Sequence, residues 1–256
     1  MTRNPPGFLM AVGILFCWFA MQFIMGMLLY GAFPQLQSNL WLNLLINGIA
    51  TVVIVQAVLK HTQYSLSSLF DASPNQFIST ATVLFPLVGL TVLGSLWWFA
   101  DLQNWLAFYL PEDEAGMAYL VELMSGGLIT LVALSIFAPV VEEVIFRGII
   151  LRGFLHHYPA HLAIVLSATL FAVFHFNLYQ FLAAFVLGIF FGWLYYKTRS
   201  LWPCIFGHSC YNTAAYLMYD GETQFQWNTL TTNLFTFSVS VAGVYLLSRI
   251  LHKGMS

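Results

Sequence analysis

Apolar runs divide the chain into segments near 8–30, 40–59, 78–100, 126–150, 161–178, 180–196, 201–219 and 231–251. As helices rising about 1.5 Å per residue, runs of this length approach or exceed the roughly 30 Å of a bilayer's hydrocarbon. Polar and turn-forming stretches separate them: Pro34 to Asn39, His61 to Asn75, Asp101 to Glu122, His156 to Pro159, Lys197 to Ser200, and Asp220 to Asn228. The pattern predicts an all-α polytopic membrane bundle of about eight transmembrane helices. We read residues 1–256 as one membrane domain, with the polar motifs in 126–220 and accessory helices in 1–125 and 231–256. Phe8 to Tyr30 is too long for a signal-peptide core and is read as a retained first span. Pro86, Gly89 and Gly94 predict a kink in the third span. Gln103 to Ser125 is acidic and reads as a short-helical segment outside the membrane.

Composition sharpens this reading. The 256 residues are 60% hydrophobic and 7% charged, against about 25% charged in an average soluble domain. A net charge of −2 gives no footprint for nucleic acid. With the N-terminus inside and eight spans, Arg3, Lys60, Arg147, Arg152, Lys197, Arg199, Arg249 and Lys253 all fall towards the cytoplasm. Asp101, Glu112, Asp113, Glu114, Glu122, Asp220 and Glu222 fall outside. The basic residues set orientation, so the expected topology is N-in and C-in. Cys17, Cys204 and Cys210 lie in apolar runs and are expected to be buried, an odd set with neither a disulfide framework nor a CxxC metal pattern.

Against this background Glu142-Glu143-Val144-Ile145-Phe146-Arg147 stands out. An unpaired charge at the bilayer centre costs roughly 3 kcal/mol, so intramembrane charges are usually paired and functional. If the fourth and fifth spans form a hairpin at Tyr158-Pro159, Glu142 and His175 each lie about sixteen residues from the turn and reach one depth. A carboxylate and an imidazole so placed could share one water. Glu143 and Arg147 are one helical turn apart and can pair. Glu142 is therefore assigned to chemistry and Glu143–Arg147 to bracing, with the reverse order of the glutamates as the alternative. His208 and Asn212, also four apart, share a face of the seventh span and could offer N–H donors to a developing oxyanion. The same count puts His175 several ångströms deeper than His208.

Other chemistries are absent from the sequence. There is no HExxH, and Gly207-His208-Ser209-Cys210-Tyr211 lacks the final glycine of a nucleophile elbow. Asp101 and Asp220 are expected at outer ends of spans, poor places for an aspartyl dyad. Gly188 and Gly192 form a small-xxx-small face for close packing. A proton-relay transporter would call for a repeated half and a second midplane charge cluster, and neither is visible.

The set Glu142-Glu143-x-x-x-Arg147, Phe171-x-x-x-His175 and His208-x-x-x-Asn212 resembles the CAAX protease and bacteriocin-processing (CPBP, or Abi) family, whose best-known members are the type II CAAX prenyl endopeptidases. The resemblance covers roughly residues 126–220 and implies a glutamate-dependent intramembrane endopeptidase. It implies that Glu142 and His175 activate water, that His208 and Asn212 form the oxyanion hole, and that Glu143, Arg147 and Phe171 support them. No cofactor is expected; in the zinc-dependent alternative Glu142, His175 and His208 would hold the metal. The implied partners are the lipid bilayer and a membrane-associated peptide or protein, lipidated or not. The implied location is the plasma (inner) membrane of a prokaryote, with the active site facing the cytoplasm. A non-catalytic immunity or scaffold protein on the same fold is the competing reading.

Overall fold

The computed structural model describes residues 4–37, 39–70, 77–109, 121, 123, 125–218 and 229–253, the side chains of 77–81, 107 and 253 excepted. Its elements are helical: α1 (Phe8–Ala32), α2 (Leu40–Thr62), α3 (Leu66–Phe70), α4 (Phe77–Tyr109), α5 (Gly127–His157), α6 (Ala160–Phe174), α7 (Leu178–Thr198), α8 (Trp202–Met218) and α9 (Leu230–Lys253). Each apolar run contains a helix, so the polytopic helical bundle stands. By length and composition, six of them (α1, α2, α4, α5, α7 and α9) can cross a membrane. Helices α6 and α8 are shorter, at 15 and 17 residues. Pro86 lies inside α4, which runs on as one helix of 33 residues. Most of the acidic stretch Gln103 to Ser125 lies outside the described residues, although α4 continues through Gln103 to Tyr109.

Contacts between helix ends give the bundle two poles. At one, His157 Nε2 donates to the Pro5 carbonyl (3.0 Å) and Arg152 Nη1 to the Ser68 carbonyl (2.5 Å). There too the Leu201 N–H donates to the Phe70 carbonyl (2.8 Å), and Arg152 stacks over the Tyr64 ring at 4.1 Å. The N-terminal segment, the ends of α2 and α5, and the α7–α8 turn with Lys197 and Arg199 therefore gather together. At the other pole the Tyr216 hydroxyl donates to the Gly127 carbonyl (2.9 Å). Arg147 lies inside α5, buried, as its expected pairing with Glu143 requires. One charge departs from its expected place. Asp101 lies inside α4, buried, where it accepts from Asn233 of α9 instead of facing water. Cys17 also departs, being exposed on the outer face of α1.

Helix α5 is the hub. All eight residues from Val144 to Leu151 are buried, which a helix with one lipid face would not allow. It is surrounded by α1 (Phe8 against Phe154), α3 (Leu69 near Gly148), α6, α7 and α8. The helix is not regular. Ala133–Phe137 and Val144–Leu151 are widened to π geometry on either side of an α-turn, Ala138–Glu143, that carries both glutamates. Such widened turns insert a residue into the ladder and often mark functional sites.

Helices α6 and α7 form a close hairpin. A Cβ at Gly188 would meet Ala168 Cβ at 3.0 Å, and one at Gly192 would meet Ile164 Cγ2 at 3.1 Å, so both glycines serve the packing role expected of them. Gly188→Val is expected to cost about 1–3 kcal/mol by forcing the pair apart, seen as a lower melting temperature in detergent. Helix α6 stops at Phe174, short of the expected boundary at 178. The Asn177 side chain accepts from the N–H groups of Tyr179 (2.9 Å) and Gln180 (3.1 Å), so a new helix starts there. The reversal places Phe176 at φ +49°, a strained value for a bulky residue. His175 is therefore the C-cap of α6, at a turn, not within a continuous span.

Candidate active site

The α-turn between the two widened segments presents Glu142 and Glu143 differently. Glu143 is wholly buried, and its Oε1 accepts from Arg147 Nη1 and from His208 Nδ1, both at 2.9 Å. Arg147 also donates from Nη2 to the Gly188 carbonyl (3.3 Å) and lies over the Phe171 ring at 4.5 Å. Two charge-capable donors to the carboxylate, one of them the guanidinium lying over an aromatic face, offset much of the cost of burying it. Glu142 has no direct hydrogen bond on Oε2, and its side chain retains 21% exposure. Glu142 Oε2 stands 3.8 Å from His208 Nε2, too far for a direct hydrogen bond and close enough for a shared water.

His208 thus sits between the two glutamates. Its Nδ1 points at a carboxylate and so carries the proton in the neutral ring, leaving Nε2 a donor only when the ring holds both protons. The expected pairing of Glu143 with Arg147 holds, but Glu143 has a second partner that sequence reasoning missed. No spacing rule links residues 143 and 208; only the fold does. Phe191 stacks on the His208 ring at 5.7 Å, and Phe171 meets it edge-on at 5.8 Å.

His175 Nδ1 donates to the Phe171 carbonyl (2.8 Å), which leaves Nε2 as the lone-pair nitrogen of the neutral ring. Phe146 of α5 meets Phe171 of α6 at 5.1 Å. Glu142 lies one turn before Phe146 and His175 one turn after Phe171, so the antiparallel register gives them one depth, as the hairpin count requires. The Phe171 ring packs perpendicular to both imidazoles, 4.8 Å from His175 and 5.8 Å from His208. Asn212 Nδ2 donates to the Leu134 carbonyl (2.9 Å). With Tyr216 bonded to Gly127, residues 208, 212 and 216 form a stripe along α8 that reads α5 from the glutamates to its N-terminus. Tyr216 was legible as the next step of that four-residue series.

Among the described residues no three His, Cys, Asp or Glu side chains converge as a metal site would need.

Residues 124–214 match the family model described as type II CAAX prenyl endopeptidase Rce1-like. A Bacillus subtilis (strain 168) protein bearing the name "Putative membrane peptidase YdiL" is 23% identical over 137 residues, covering 54% of this chain and 56% of that protein. The chain thus spans about half the length of this curated relative. No solved structure gives a significant match. The matched segment begins just before α5 and ends after Asn212, so it contains Glu142, Glu143, Arg147, Phe171, His175, His208 and Asn212. Through this segment the chain is similar to the Rce1-like type II CAAX prenyl endopeptidases.

Proposed function

We propose that the chain is an intramembrane endopeptidase that hydrolyses a peptide bond in a membrane-associated peptide or protein, by CAAX-type or bacteriocin-type processing. The observation that carries this reading is the asymmetry of the two glutamates: Glu143 is sealed and doubly bonded, while Glu142 is partly open beside His208. In this reading Glu142 takes a proton from water as the oxygen attacks the scissile carbonyl, and His175 Nε2 orients that water. The oxyanion is met by the Asn212 N–H not used by Leu134 and by His208 Nε2 when its ring holds both protons. The proton on Glu142 then passes to the leaving amine, which restores the carboxylate. Glu143 and Arg147 hold His208 and the helix in place, and Phe171 packs against both imidazoles.

The reaction needs no metal in this account, so cleavage is expected to persist in a zinc chelator. Loss of cleavage there, restored by zinc, would replace it with the metal reading. The partners are the bilayer and a substrate that enters from it, with a lipid group on the substrate tested by paired prenylated and unmodified peptides. The basic pole is assigned to the cytoplasm of a prokaryotic plasma membrane; cysteine labelling at positions 61 and 216 from either side tests that assignment.

A further inference from the structure

The widened turn before the glutamates has a sequence cause. In an α-helix the Leu134 carbonyl would accept from the N–H of residue 138, but the Ala138 N–H turns to Ala133. In the widened ladder the next donor would come from residue 139, which is Pro139 and has no N–H. The Leu134 carbonyl is therefore left without a backbone donor in a low-dielectric interior, where such a group must be bonded elsewhere. Asn212 supplies that bond from α8 at 2.9 Å. In the second widened segment the Ser167 hydroxyl of α6 donates to the Phe146 carbonyl at 3.2 Å.

We propose that Pro139 and Asn212 act as one positioning unit: the proline opens the Leu134 carbonyl, and the amide of Asn212 closes it and locks α5 to α8. The α-turn bearing Glu142 and Glu143 follows directly, and His208 lies one turn before Asn212 on the same face of α8. The lock therefore sets the distance between the glutamates and His208. This role rests on the endopeptidase reading for its consequence, but not for its existence.

The test is a double-mutant cycle of Asn212→Ala and Pro139→Ala, read by melting temperature in detergent and by kcat/KM on a cleaved peptide. Asn212→Ala lowers both, the rate by about 10²-fold, as expected for a misplaced catalytic group. Pro139→Ala returns an N–H to the ladder, so in that background Asn212→Ala should cost far less melting temperature, and the rate should recover in part, keeping only the loss of the oxyanion donor. Additive losses in melting temperature would overturn the unit. Coupled melting temperatures with no recovery of rate would overturn its positioning role and leave Asn212 acting directly on substrate. The stability arm needs no turnover, so it decides even if the endopeptidase reading fails.

Discussion

Glu142→Gln is expected to reduce peptide hydrolysis by about 10²–10⁴-fold while leaving the protein folded. Glutamine keeps the shape of the side chain but cannot take a proton from water. The fold should tolerate the change, because the Glu142 carboxylate makes no hydrogen bond on its buried oxygen and its nearest ionic partner, His208, is 3.8 Å away. Melting temperature should hold or rise slightly, since a partly buried charge is removed. Equal activity with an unchanged melting curve would remove Glu142 from the chemistry. Activity lost on Glu143→Gln alone would reverse the roles of the two glutamates.

Arg147→Met carries the largest expected effect on stability. It leaves the wholly buried Glu143 with His208 alone, and breaking a buried pair by removing one partner costs about 3–5 kcal/mol. Adding Glu143→Gln should recover much of that loss, because glutamine is neutral and its oxygen still accepts from His208 Nδ1. The check is chemical denaturation or melting in one detergent for the single and double variants. A single variant as stable as wild type would show that the guanidinium does not offset the charge of Glu143.

These two residues also show where sequence reading reaches its limit. Periodicity was enough for the bundle and for the seam of Gly188 and Gly192, because both depend on local apolar pattern and helix spacing. The depth match of Glu142 and His175 followed from counting along a hairpin. Three features were out of reach. The bond between Glu143 and His208 joins helices far apart in the chain. The early stop of α6 came from Asn177, whose capping competes with the apolar run around it. The widened turn of α5 before the glutamates arises from Pro139 acting with a donor on α8, so neither residue announces the feature alone. The misplacement of Asp101 had a related cause: the charge was assigned to the end of its span, whereas a partner on another helix, Asn233, holds it inside.

The most direct test of the endopeptidase is to incubate detergent-purified protein with a pool of prenylated and unmodified peptides and identify fragments by mass spectrometry. Wild type and Glu142→Gln would be compared, each with and without a zinc chelator. The account predicts fragments from wild type in both conditions and none from the variant. Identical fragments from wild type and variant would contradict it, assigning the cleavage to a contaminant and the fold to binding.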